Sequence, residues 1–267
     1  MKNNSSFRKE LFLRRLKIAA FIIIPAGLMV AAGFFIYKWE GFRITSIDVS
    51  GNIVIRSEDM ILASQKMADG SFYGQLLGGN HIFAWKGFPT GDLSDEMFRL
   101  AAVSGSVDME GRRVDIKVRE RKESAAWCVV PSEEGDPKKC FWMDDEGYLF
   151  AVGPDAEGVL IRVVNDRSGR DLNIKDKPLS EGEMENFRKI SSIFSDLGWV
   201  VSDISLNDAL SGELTATFPS GQKTMFDLSI DPSFGVPVIR SLVESGEWPR
   251  VEYLDLRIDG KGFYKLK

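Results

Sequence analysis

The chain has 267 residues, of which 44% are hydrophobic and 27% charged, and it contains one histidine and two cysteines. This length and apolar content suffice for one or two packed domains, and a single histidine excludes a histidine-rich metal site. The net charge is −5, but residues 1–17 carry +5, so residues 18–267 carry −10. Such an acidic bulk argues against nucleic-acid binding.

The segment Ile18–Tyr37 contains twenty residues without a charge, between Lys17 and Lys38. A helix of this length spans about 30 Å, the thickness of the bilayer's hydrocarbon core, so the segment predicts a transmembrane helix. The basic tail over residues 1–17 predicts a cytoplasmic N-terminus and an external bulk. A cleaved signal peptide is the alternative, because Val30–Ala32 resembles a cleavage site, although the apolar run continues through Tyr37.

Residues 40–121 predict a small α+β domain. The elements expected in chain order are a strand over 42–49 with a bulge at 45–46, a helix capped by Ser57, a helix over 93–101, and strands over 105–109 and 113–120. A glycine-rich loop (residues 70–79) separates the two helices. The order β-α-α-β-β predicts two helices that cover one face of a three-stranded sheet.

Residues 122–267 predict a strand-rich β domain with two helices. Strands are expected over 125–130, 140–143, 148–152, 160–164, 200–206, 212–218, 222–228, 251–258 and 261–266, and helices over 183–197 and 237–244. Asp259-Gly260 is the two-residue signal for a type I′ turn in the last hairpin. Cys128 and Cys140 bracket a turn-rich loop and are candidates for a disulfide; two small buried residues are the alternative.

The residue types that support catalysis are sparse. His81 lies in the glycine-rich loop beside aromatic residues, where a packing role is expected. Ser220–Lys223 matches the S-x-x-K pattern, but Pro219-Ser220-Gly221 predicts a tight turn, whereas a nucleophile of this kind opens a helix. Asp144–Gly147 lacks the carboxylate spacing of an EF-hand and predicts a hairpin turn. The sequence therefore predicts no enzyme, no cofactor, no metal and no small-molecule substrate.

The order of elements and several short motifs together resemble the FtsQ/DivIB family of bacterial cell-division proteins. The motifs follow the basic tail and the single span, and they cover Ile47–Asn52, Val114–Arg121, Ala125–Trp127, Met143–Phe150 and Tyr253–Arg257. The chain departs from the family where Glu123 stands in place of a proline after the Glu120-Arg121 pair, which loosens the expected joint between domains.

The resemblance implies a POTRA domain over 40–121, an FtsQ-type β domain over 122–267, and a non-catalytic scaffold in the cytoplasmic membrane at the division septum. Its implied partners are the single-pass proteins FtsB and FtsL, bound outside the membrane. Two other functions are compatible with the sequence: a POTRA-containing component of polypeptide transport or envelope assembly, and an extracytoplasmic hydrolase.

The closing hairpin predicts the place where a partner binds. A two-residue loop pairs Ile258 with Lys261, Leu256 with Phe263, Asp255 with Tyr264 and Tyr253 with Leu266. Leu254, Leu256, Ile258 and Phe263 then face the core, and Tyr253, Arg257, Tyr264 and Leu266 face outward. The last strand is expected at a sheet edge, where an FtsB-like segment adds as a further strand. The predicted partner-binding residues are Tyr253, Arg257, Gly262, Tyr264 and Leu266; the alternative is an edge that Lys261, Lys265 and Lys267 merely protect.

Overall fold

The computed structural model describes residues 4–87, 97–131, 137–155 and 161–267. The mixed α+β architecture is confirmed, and so is the apolar N-terminal helix. This helix, α1 (Asn4–Lys38), contains the segment Arg14–Phe35, which is long and apolar enough to cross a membrane. Contacts divide the chain into two compact units, one formed by Met1–Glu96 and Ala102–Glu120, the other by Met97–Ala101 and Arg121–Lys267.

The first unit contains the three-stranded sheet. Its elements after α1 are β1 (Ser46–Ser50), α2 (Ser57–Gly70), α3 (Phe72–Leu77), β2 (Leu100–Asp108) and β3 (Arg113–Glu120). The strand order is β1-β3-β2, with β1 parallel to β3. The alternating side chains Val114, Ile116 and Val118 of β3 are buried, as the period of two residues predicts.

The second unit is built on a sheet that has nine strands in the described residues. Its elements are β4 (Ala125–Val129), β5 (Lys139–Met143), β6 (Leu149–Val152), β7 (Val163–Asp166), α4 (Glu181–Asp196), β8 (Asp203–Asp208), β9 (Glu213–Thr217), β10 (Lys223–Asp227), α5 (Gly235–Glu244), β11 (Val251–Ile258) and β12 (Lys261–Leu266). The strand order is β12-β11-β10-β9-β8-β7-β4-β5-β6. Strand β7 is parallel to both of its neighbours, and β10 is parallel to β11.

Helices α4 and α5 share one hydrophobic core with the sheet. Phe187 and Ile190 of α4 and Ile239 of α5 are almost completely buried. Ser180 and Glu183 form a capping box at the start of α4, which satisfies two backbone N–H groups there. One row of paired residues crosses the helix-covered face from edge to edge: Val152, Phe141, Trp127, Val164, Ile204, Ala216, Thr224, Leu254 and Tyr264.

Three predictions in the first unit were wrong in detail. The strand expected over 42–49 is only Ser46–Ser50, because Glu40–Phe42 forms a 3-10 turn and Arg43 makes an isolated bridge to His81. The helix expected over 93–101 gives way to a strand at Leu100, and the part over 93–96 lies outside the described residues. Helix α2 begins at Ser57 with Arg56 as its N-cap, one residue earlier than predicted.

Candidate partner interface

The second unit has one sheet edge that is uncovered in the described residues. Among the described residues, strand β12 pairs with β11 only, and a further backbone hydrogen bond, from Lys267 N to Arg250 O, returns to the chain next to β11. Strand β6, at the opposite edge, differs: Leu149 donates to Asp176 O at 2.9 Å and accepts from Lys175 N at 2.8 Å. An edge with free N–H and C=O groups is a template for an added strand.

The register of the closing hairpin differs from the predicted one. Ile258 pairs with Lys261 as predicted, but Asp255 pairs with Phe263 and Leu254 with Tyr264. The register shifts between Asp255 and Ile258, where β11 has one more residue than β12. This bulge reverses the inward and outward positions of β12 beyond it.

The turn of this hairpin also differs from the type I′ turn that was predicted. That turn requires a positive φ at both loop residues. Gly260 has a φ of 67°, but Asp259 is not among the described residues with positive φ.

The reversed register changes which predicted residues share a face. Tyr264 lies on the helix-covered face, opposite the buried Leu254, and not beside Arg257. Leu266 pairs with the buried Val251 on that face and packs against the core. Phe263, predicted to be buried, pairs with Asp255 on the opposite face of the sheet, which we call the open face. Its side chain is 53% exposed.

Gly262 has a packing role that its place at the edge did not suggest. A Cβ atom at this position would lie 3.1 Å from Leu256 Cδ2 and 3.2 Å from Val238 Cγ1. Gly235, at the start of α5, is tighter still, with a Cβ position 2.5 Å from Leu256 Cδ1. The two glycines therefore let α5 approach the hairpin at the buried Leu256, beside the bulge.

The charged groups on the open face already bind one another. The Arg257 guanidinium donates to both oxygens of Asp255, at 2.9 and 2.8 Å, and to Glu213 at 2.7 Å. Its hydrogen bonds lower the pKa of Asp255, and they raise the pKa of Arg257 despite partial burial. Tyr253 lies two residues before Asp255 on β11 and pairs with Lys265. Lys265 in turn forms an ion pair with Glu252 at 2.7 Å. Arg257 thus orders this face in the free protein, and a partner that binds it must replace these bonds.

Exposed apolar side chains complete the interface. Tyr264 is 47% exposed, Phe263 53% and Ile258 52%, so the edge strand presents aromatic rings on both of its faces. Aromatic residues supply most of the binding energy in many interfaces. Phe263 and Ile258 were missed because the predicted register buried them. The arrangement can accept an extended segment by backbone hydrogen bonding and hold it with ring contacts.

The two cysteines lie far along the sheet from this edge. Cys128 of β4 and Cys140 of β5 face each other in register and are joined by a disulfide, with a Cα–Cα distance of 4.0 Å. Asp155 lies near their sulfur atoms, which makes this trio the candidate metal cluster in the described part of the chain. The sulfurs are bonded to each other and Asp155 binds Lys138 at 3.0 Å, so the trio is not arranged as a metal site.

The residues considered for catalysis are also placed by the structure. His81 is buried at the start of a 3-10 turn, where its Nδ1 accepts a hydrogen bond from Phe83 N and its ring lies 5.7 Å from that of Phe42. Ser220 lies in the turn between β9 and β10, and its hydroxyl donates to Gln222. Asp144 caps the turn between β5 and β6 by accepting from Glu146 N and Tyr148 N, and it also binds Arg121.

A cavity of about 770 Å³ opens between the end of α4 and the start of β8. Its lining includes Arg162, Arg167 and Trp199. Burial lowers the pKa of Arg162 although Asp145 partly offsets this effect. No predicted site residue lies in it.

The chain was also compared with known proteins. No protein-family model matches it, and no curated protein is significantly similar to it.

Proposed function

We propose that this protein is a membrane-anchored scaffold that holds partner proteins outside the cytoplasm. Helix α1 crosses the membrane once, its basic tail stays in the cytoplasm, and the rest of the first unit and the whole second unit lie outside. The support is the apolar segment Arg14–Phe35 together with the charge difference between residues 1–17 and the rest of the chain.

The observation that carries the proposal is the uncovered edge of β12. The opposite edge is hydrogen-bonded to residues 175–176, whereas β12 keeps an open side flanked by Phe263 and Tyr264. A partner segment adds here as a tenth strand. Its backbone supplies affinity, and contacts with the two rings supply specificity.

The partner class follows from the resemblance to the FtsQ/DivIB family. Its motifs occupy β1 with the turn that follows it, β3, β4, the turn between β5 and β6, and β11. The first unit has the element order that a POTRA domain would have, and β12 lies in the part of the chain that corresponds to the family's partner-binding region. We accordingly propose that the partners are FtsB- and FtsL-like single-pass proteins and that the complex works at the division septum.

A photo-crosslinking amino acid placed in the full-length protein in cells tests the interface. Position Tyr264 should capture a small single-pass protein, and position Val152 should not, although both residues end the same row of the sheet. Tyr264→Lys should abolish co-purification of that protein, whereas Val152→Lys should leave it unchanged. Equal capture at both positions, or full binding by Tyr264→Lys, would place the partner site elsewhere.

Deletion of residues 262–267 is a poorer test of the same interface. It would remove Leu266 from the core and leave β11 as a new edge, so a loss of binding would also follow from damage to the fold. The single replacement at the exposed ring avoids this ambiguity.

A further inference from the structure

Helix α3 presents an apolar surface to solvent. Phe72 is 74% exposed, Leu76 62% and Tyr73 45%. Successive helical residues are about 100° apart, so these three side chains fall within one arc of about 100° on the same side. The sixteen residues from Gly70 to Trp85 contain no Asp, Glu, Lys or Arg. This surface is therefore apolar and uncharged.

The orientation of α3 is set by its attachment to α2. Gly74 faces inward, where a Cβ atom would lie 1.8 Å from Ala68 O. The Ser71 hydroxyl donates to Ala68 O at 2.7 Å and accepts from Gly74 N at 2.9 Å. The helix is thus held against the end of α2 by its small residues, and its large residues must point away.

The path from the membrane helix to α3 is short and hydrogen-bonded. Trp39 N donates to Phe35 O, and Ile44 N donates to Asn80 O, which lies three residues beyond the end of α3. The six Cα–Cα steps from Lys38 to Ile44 span at most about 20 Å when fully extended. The 3-10 turn Glu40–Phe42 shortens this path further, so α3 lies close to the end of the membrane helix.

A continuous series of ring contacts follows the same path. Centroid distances are 5.5, 4.9, 5.6, 6.3 and 5.4 Å between successive members of the series Phe35, Trp39, Phe42, Phe83, Tyr73 and Phe72. Tryptophan and tyrosine are enriched where a protein meets the headgroups of a bilayer. The series links the end of the membrane span to the exposed surface of α3.

We propose that α3 is a second membrane contact, in which Phe72, Tyr73 and Leu76 enter the outer headgroup region of the bilayer that α1 spans. This inference rests on the membrane anchoring proposed above. It implies that the first unit is held against the lipid surface at two points, and that the surface exposed on α3 belongs to lipid and not to a protein partner.

Site-directed spin labelling of the full-length protein in phosphatidylcholine–phosphatidylglycerol vesicles tests this contact. Both native cysteines are in the disulfide, so a third cysteine gives a single labelling site. We compare labels at Phe72 and Leu76 with one at Leu28, inside the span, and one at Glu58, on the exposed side of α2. For each label we take the ratio of its collision rate with oxygen to its collision rate with a water-soluble nickel chelate. The ratio at 72 and at 76 should lie between the high value at 28 and the low value at 58.

Each other outcome has a distinct meaning. Water-like values at 72 and 76 with a lipid-like value at 28 would overturn the second contact and leave the anchor in place. A water-like value at 28 would overturn the anchor and the contact together. Protection at 72 and 76 from both reagents, unchanged by dilution of the protein in lipid, would show a protein cover and overturn the lipid assignment.

A pair of matched variants completes the test. With the label at Leu76, Tyr73→Asp should shift the collision ratio toward that of water, because a carboxylate is costly to bury among lipid tails. Gln75→Asp should leave the ratio unchanged, since Gln75 is exposed and lies outside the apolar arc. An equal shift in both variants would contradict the proposed orientation.

Discussion

The two edge strands of the sheet in the second unit, β6 and β12, differ in whether other described residues hydrogen-bond to their outer side. At the β6 end, a disulfide joins β4 to β5, and the edge accepts and donates backbone hydrogen bonds to residues 175–176. At the β12 end, bulges shift the register, exposed rings flank the edge, and no other described segment pairs with it. Under the proposed function, partner binding is confined to the β12 end, and the rest of the sheet supplies the stability.

The largest effect is expected at Asp166, whose carboxylate is completely buried in β7. It accepts hydrogen bonds from Trp127 Nε1 at 3.1 Å, Ser168 N at 3.0 Å and the Arg170 guanidinium at 2.7 Å. Asp166→Ala leaves these donors without their acceptor and should cost about 4 kcal/mol of unfolding free energy. Chemical denaturation of the full-length protein in detergent, followed by near-UV circular dichroism, measures the loss.

Asp166 lies near the middle of the sheet, and the matching change near its β12 end is Asp255→Ala. Its ion pair with Arg257 is partly exposed, so the expected loss is about 1 kcal/mol or less. Equal losses of unfolding free energy for Asp166→Ala and Asp255→Ala would contradict the proposed contrast between a stabilising sheet interior and a binding edge at β12.

Removal of the disulfide should have the next largest effect. The double change Cys128→Ser and Cys140→Ser frees a loop with a sequence separation of 12, and the loop-entropy estimate for such a loop is about 3 kcal/mol. The same denaturation measurement tests this value, with partner capture at Tyr264 as the second readout. Capture should be unchanged, because five strands lie between β12 and β4 in the sheet order. Loss of capture in a folded variant would show that the two parts of the sheet are coupled.

Gly262→Ala should destabilise the β12 end by about 1 kcal/mol. The added methyl group would press on Leu256 and Val238, and cores resist such overpacking. Gly182→Ala, in the first turn of α4, is the control: nothing lies within 4 Å of its Cβ position, and alanine favours a helix. If Gly262→Ala were as stable as Gly182→Ala, the packing of α5 against the hairpin would have to adjust to the added methyl group at little cost in free energy.

Acid should weaken the middle of the sheet, at β7, more than the β12 end. Burial alone would raise the pKa of Asp166, but hydrogen bonds from Ser168 and Arg170 outweigh burial and lower it. A lowered folded pKa contributes stability above the unfolded value of about 3.9, and this contribution is lost as the pH falls below that value toward the folded pKa. Melting temperatures between about pH 5 and pH 2.5 should therefore fall less steeply in Asp166→Asn than in the parent.

Asp255→Asn is the comparison for the acid titration. The pKa of Asp255 is also lowered, by the hydrogen bonds of Arg257, but solvent screens this pair more strongly. Its effect on the acid slope should be the smaller of the two. A larger effect from Asp255→Asn would assign the acid-sensitive step to the β12 end.

Strand positions could be predicted from the sequence, whereas the register of the last hairpin could not. The strands of the second unit were placed to within a few residues, because alternating burial and turn residues are local signals. The hairpin register was not predicted, since alternation over six residues does not show where a bulge falls. The close approach of α5 to Leu256 across Gly235 and Gly262 also involves residues distant in sequence. Helix α3 was missed because its six residues are too few to show a helical period. The exposure of Phe263 was not predicted, because it depends on this register.

Strand β7 has a consequence for the order in which the second unit folds. Its four residues have only parallel neighbours, β4 on one side and β8 on the other. The antiparallel groups β4–β6 and β8–β10 can form from local hairpins, whereas a parallel pairing closes a longer loop and is intrinsically slower. We therefore expect β7 to dock late and to join two preformed blocks, so that a chain lacking this pairing would persist as two half-sheets with apolar edges open to aggregation.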